Sequence, residues 1–158
     1  MWGTKMPKTQ WTWVILGGLI AGIVINAGEL AVHRVMLHEQ WTAAFAALRR
    51  RPTGWAMFIP SNFLVGLLTV WLYARIRPRY GPGPRTAARA GLTIWVVFWV
   101  IPTMALVPLE LFPNRLLFLV IAAGVVNANL AALLGASVYR EAANVGQPES
   151  KSAAISRW

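Results

Sequence analysis

Four stretches of this chain contain no Lys, Arg, His, Asp or Glu: residues 9–28, 52–74, 90–109 and 116–139, which are 20, 23, 20 and 24 residues long. A helix rises about 1.5 Å per residue, so about 20 apolar residues cross the roughly 30 Å hydrocarbon core of a bilayer. In lipid, every backbone N–H and C=O must find its partner within the protein. Stretches of this length therefore read as membrane-spanning helices. The alternative, four helices buried in a soluble domain, is poor, because such helices average about 11–12 residues. The predicted fold is all-α, an integral membrane four-helix bundle.

The charges support this. Only 13% of the residues are charged and Asp is absent, where a soluble domain carries about a quarter. Too few charges exist to build a water-facing surface. The +10 formal charge does not indicate nucleic acid, because the basic residues sit at the ends of apolar runs, as anchors for lipid headgroups do. Absence of cysteine excludes disulfides, thiolate metal sites and thiol nucleophiles.

Three regions follow: a basic N-terminal head at 1–10, a four-span domain at 11–140 and a polar tail at 141–158. The first apolar run continues past Gly28 into ELAVHRVML without a small-residue cleavage site, which favours a retained span over a signal peptide. Residues 38–54 carry Trp41, Phe45 and Leu48 at helical spacing before Arg49, Arg50 and Arg51. They suggest an interfacial helix or re-entrant turn, with an ordinary loop as the plain alternative. The second span is placed at Trp55–Ala74 and the third at Ala90–Val107, with a kink or break at Pro102. RIRPRYGPGPRTAAR is read as a non-helical connection. Pro108 and Pro113 bracket a tight turn before the fourth span, Arg115–Tyr139. The likeness of IAGIVIN to IAAGVVN is ascribed to chance.

Lys5, Lys8, Arg75, Arg77, Arg79, Arg85, Arg89, Arg140, Lys151 and Arg157 fall on one side, and Arg34, Arg49, Arg50, Arg51 and Arg115 on the other. The positive-inside rule then predicts cytoplasmic termini in a bacterial inner membrane, against the opposing weight of the triple arginine. Arg75, Arg77, Arg79, Arg85 and Arg89 are the expected contacts to anionic headgroups.

Gly18, Gly22, Asn26, Glu29 and His33 form one helical stripe. Gly18 and Gly22 allow close approach of another backbone. Glu29 is costly in lipid and should face a bundle interior or wet cavity. Proton relay, metal ligation and tetrapyrrole ligation by His33 are the functional readings. The preferred one is plainer: Glu29 and His33 lie near the headgroups and pair with each other or with Arg34. His33 and His38, five apart, fall well off a common α-helical face and do not suggest a metal site. Asn62, Gly66, Thr69 and Tyr73 mark a face of the second span. Gly124, Ala128, Ala131 and Gly135, with Asn127 beside them, mark one of the fourth. Both read as packing stripes. Trp11, Trp13, Trp41, Trp55 and Trp71 suit an interfacial belt; Trp95 and Trp99 are read as a lipid-facing ridge.

Ser61 and Ser137 lack a histidine or lysine at any nucleophile spacing, and the prolines of GPGP remove donors that a phosphate cradle needs. The sequence therefore predicts no enzyme. WLYARIRPRYGPGPRTA, with the Gly-rich first span, resembles a group of small, uncharacterised bacterial membrane proteins with four predicted spans. The resemblance runs from about Gly17 to Tyr139 and implies the four-span architecture, not an activity. The expected function is a non-catalytic accessory subunit of a larger membrane complex, photosynthetic or respiratory in type. Its partners would be lipids and other membrane subunits, not nucleic acid. The alternatives are a small oligomeric transporter or channel lined by Asn26, Glu29 and Asn127, and a haem-, chlorin- or quinone-binding protein using His33. No cofactor is required by the sequence, and bound lipid is expected.

Overall fold

The computed structural model describes residues 10–51 and 53–139. The basic head to residue 9, the tail from residue 140 and the side chain of Trp55 lie outside the described residues. Among the described residues the regular structure is entirely helical. Its main elements are α1 (Trp11–Leu30), α2 (His38–Ala47), α3 (Phe58–Tyr80), α4 (Pro84–Trp95), α5 (Ile101–Leu106) and α6 (Asn114–Val138). A π turn at Ala31–Met36 extends α1, and another at Val96–Val100 joins α4 to α5. Four continuous helical segments are thus long and apolar enough to cross a bilayer: Trp11–Met36, Phe58–Tyr80, Pro84–Leu109 and Asn114–Val138.

Each span touches its neighbour in sequence and the last returns to the first, with α3 also touching α6 across the bundle. The buried seams are built from small residues: Gly17, Gly18, Ala21 and Gly22 on α1, Ala87, Ala90 and Gly91 on α4, and Ala128, Ala131, Ala132 and Gly135 on α6. Lipid tails are as apolar as leucine, so burial of large apolar groups does not drive helices together there. Close backbone approach, with its dispersion contacts, takes that part. Large side chains such as Ile15, Leu19, Leu64, Phe118 and Val126 are correspondingly exposed on the outside.

The helices exceed their predicted bounds at the second connection. α3 continues through Arg75–Tyr80 despite Pro78, and α4 begins at Pro84, leaving only residues 81–83 between them. Pro78 lies in the last turn of α3, so it interrupts little of the ladder, and Pro84 at the helix start gives up an amide that would lack a partner there. The glycines make the actual turn. Gly81 and Gly83 have φ of 80° and 124°, a region closed to most side chains. Thr86 Oγ1 donates to the Gly81 carbonyl at 2.7 Å, and the Gly83 amide donates to the Tyr73 hydroxyl at 3.3 Å. At Pro102 the third span does not stop. The five-residue π turn just before it absorbs the missing donor.

Residues 38–47 form the helix α2 rather than a loop. It ends in a Schellman motif: the Arg50 amide donates to the Phe45 carbonyl at 3.1 Å and the Arg49 amide to the Ala46 carbonyl at 3.0 Å. Ring contacts of Trp41 and Phe45 with Phe112, at 5.3 and 5.9 Å, hold α2 against the connection between the third and fourth spans.

Candidate functional site

Asn26, Glu29, His33, Asn62, Trp99 and Asn127 form a set of polar contacts between spans. Glu29 is the centre. Its Oε1 accepts from the Trp99 indole N–H at 3.1 Å and from Asn127 Nδ2 at 3.4 Å, and its Oε2 lies 2.9 Å from His33 Nε2. Asn127 also donates to the Ile25 carbonyl at 3.2 Å. One carboxylate therefore ties together the first, third and fourth spans. Beside it, Asn62 Nδ2 donates to Asn26 Oδ1 at 3.1 Å, joining the first span to the second.

The local sequence explains the placement. Asn26, Glu29 and His33 follow the glycine face of α1, and that face is turned inward because only glycine permits the contacts beneath it. A Cβ on Gly66 would lie 2.4 Å from the Gly22 nitrogen and 2.5 Å from the Gly18 carbonyl oxygen; one on Gly135 would lie 2.8 Å from the Gly17 carbonyl oxygen. Gly28 makes room for the Asn127 amide, and Gly124 for the Trp99 ring, each within 2.6 Å of a built Cβ.

The predicted positions divide as follows. Gly18, Gly22 and Gly66 meet at the α1–α3 seam, Gly124 meets Trp99, and Gly135 meets Gly17. Asn26 pairs with Asn62, and Glu29 with Asn127 and His33. Glu29 and His33 form the expected pair, but the second carboxylate oxygen points into the bundle rather than to Arg34. Arg75, Arg79, Arg85 and Arg89 are exposed at the opposite end, Arg77 half-buried. Arg75 stacks on Trp71 at 5.6 Å, Arg77 on Tyr139 at 5.5 Å, and Arg89 on Tyr80 at 4.3 Å.

Two sequence readings are corrected. Trp95 and Trp99 are not a lipid-facing ridge: Trp99 is buried, and Trp95 is half-buried, its indole donating to the Ile121 carbonyl at 2.8 Å. An indole N–H at membrane depth needs an acceptor, and a carboxylate and a carbonyl inside the bundle supply them. That requirement was the available signal for Trp99. His33 and His38 do not diverge, either. The π turn and the break at Leu37 reset the helical phase, and both histidines line one cavity.

The arrangement can hold helices in register. His33 Nε2 is engaged by Glu29, which leaves that nitrogen poorly placed to ligate a metal. Among the described residues, no three His, Cys, Asp or Glu side chains converge as a metal site. Fold and site together define the class: a multi-pass, all-helical membrane protein with a polar knot inside its bundle. Comparison with protein-family models, with curated proteins and with solved structures gives no match.

Proposed function

We propose that this protein is a non-catalytic accessory subunit of a larger complex in a bacterial inner membrane, with both termini cytoplasmic. The supporting observation is the distribution of polar and apolar groups. Asn26, Asn62, Glu29, Asn127 and Trp99 are spent on one another. Meanwhile α6 leaves Val126, Leu130 and Leu134 exposed at four-residue spacing, and α1 leaves Ile15, Leu19 and Ile23 exposed in the same way. A catalyst or a transport path keeps some of its intramembrane polar groups for a substrate, whereas a scaffold consumes them internally and presents helix faces outward. This reading makes partner helices the occupants of the outer faces of α1 and α6.

Mass spectrometry of the intact, gently solubilised complex tests this. The expected result is the chain with other membrane proteins in fixed stoichiometry, lost when Val126 and Leu130 are both replaced by Trp. A lone chain or homo-oligomer surrounded by lipid would refute it. Proton or solute flux into liposomes holding the pure protein, abolished by Glu29→Gln, would put the transporter reading in its place.

A further inference from the structure

At the end of the bundle bearing α2, a half-open cavity of about 490 Å³ is lined by four arginines, Arg34, Arg49, Arg50 and Arg51, and by His33 and His38. Among the described residues no carboxylate lines it. Glu29, the partner of His33, is also taken up by Trp99 and Asn127. Among the described residues no carboxylate forms an ion pair with Arg49, Arg50 or Arg51. The rest of the wall is aromatic: Trp41 lies 5.3 Å from the His33 ring and stacks on Phe45 at 5.6 Å. The Trp41 indole N–H is buried in this wall without a partner among the described residues.

The backbone shapes the cavity at some cost. His38, Trp41, Thr42 and Phe45 recur at three- and four-residue spacing, one face of α2. The chain then turns sharply at Arg49, whose φ is 51°. This is the left-handed position of the Schellman motif, normally held by glycine. An arginine kept where glycine is favoured, at the lip of a cationic cavity, is a backbone outlier of the kind that accompanies ligand clamps. The turn carries Arg50 and Arg51 to the same lip.

We infer that this cavity is a binding site for a phosphate-bearing anion. Guanidinium groups engage phosphate oxygens bidentately, and Arg is preferred over Lys for that geometry. The anion comes either from a membrane phospholipid or from a soluble phosphate ester. Val35 and Met36, highly exposed and next in sequence to Arg34, suit the upper acyl chain of a lipid. The site lies at the opposite end from Arg75–Arg89 and is distinct from headgroup contacts there. It also gives the triple arginine a role that does not depend on orientation.

The test uses the full chain in detergent and in phosphatidylcholine nanodiscs, read by native mass spectrometry and by titration, with Arg75, Arg77, Arg79, Arg85 and Arg89 replaced by Gln throughout to silence the other end. The protein should retain phosphatidylglycerol over phosphatidylcholine, and Arg49→Gln/Arg50→Gln/Arg51→Gln should weaken retention at least about ten-fold, since each arginine at a membrane surface counts for about five-fold. If millimolar glycerol 3-phosphate does not compete, the source is lipid. If glycerol 3-phosphate or inorganic phosphate saturates one site in phosphatidylcholine with the same arginine dependence, the source is soluble. Arg49→Gly separates binding from folding: it relieves the left-handed backbone, so it should melt at or above the parent while still binding more weakly. Equal binding of phosphatidylglycerol and phosphate by the parent and the triple Arg→Gln variant overturns the inference, as does Arg49→Gly binding like the parent.

Discussion

Gly66→Ala adds one methyl group and should be among the most damaging small changes in the bundle. Its Cβ would lie 2.4 Å from the Gly22 nitrogen, 2.5 Å from the Gly18 carbonyl oxygen and 2.8 Å from the Gly22 Cα. All three are backbone atoms, so no rotamer change can relieve the clash, and α1 and α3 must separate by roughly 1 Å. A gap of about 0.5–1 Å forfeits about a quarter to a half of the dispersion attraction across a seam. The Asn62–Asn26 hydrogen bond, already 3.1 Å long, would be stretched as well, and such bonds in membrane bundles average about 0.6 kcal/mol. The combined cost matches the about 1–3 kcal/mol typical of overpacking, or a fall of roughly 3–10 °C in melting temperature for a domain of this size. Gly54→Ala is the control, because nothing lies within 4 Å of its Cβ. It should be neutral. Thermal unfolding in mild detergent measures both. If Gly66→Ala melts with Gly54→Ala, the α1–α3 seam described above is wrong.

The remaining predictions concern the knot, the topology and the basic end. Glu29→Leu removes the acceptor of Trp99 and the partner of His33, while Asn127 keeps the Ile25 carbonyl, and should cost about 1–2 kcal/mol; Glu29→Gln keeps one carbonyl oxygen and should cost less than half as much in the same melting assay. Single cysteines at Thr53 and Pro82, both exposed, report orientation: an impermeant thiol reagent on intact cells should label Thr53→Cys and spare Pro82→Cys, and the reverse pattern inverts the topology. Replacing Arg77, Arg79 and Arg85 by Gln should lower retention of anionic lipid at that end by at least about ten-fold, from about 1 kcal/mol per arginine; unchanged lipid content would remove them from that role.

The four spans were legible because charge-free length is a one-dimensional property, fixed by bilayer thickness rather than by tertiary contacts. Their ends were less so. Arg75, Arg77 and Arg79 marked the second connection as loop, yet they lie on α3, where their guanidinium groups stack on Trp71, Tyr139 and Tyr80. An arginine at a helix end satisfies the interface as well as one in a loop does, so charge locates the membrane boundary but not the helix boundary. The Pro–Gly alternation misled in the same way: only Gly81 and Gly83 required the turn, while Pro78 and Pro84 were compatible with the helices that flank it.

The interior site was half legible, for a reason that lies in how each residue meets its partner. Asn26, Glu29 and His33 sit on one stripe of one helix, and periodicity within a helix finds such sets. Trp99 and Glu29 are 70 residues apart, and no periodicity connects them. The link could come only from satisfaction of hydrogen bonds: an indole N–H in the third span and a carboxylate in the first each need a partner that lipid cannot offer. The arginine cavity was hidden by a different step. Placing His33 and His38 well off a common face assumed uninterrupted α geometry, and the π turn at Ala31–Met36 followed by Leu37 at φ −113°, ψ 20° breaks that assumption within five residues. The same local irregularity turns α2 across the bundle end and brings both histidines to the wall that Arg49, Arg50 and Arg51 close. The regular helices pack the spans along their small-residue seams, while the departures from regular helix bring Trp99 to Glu29 and both histidines beside the arginines.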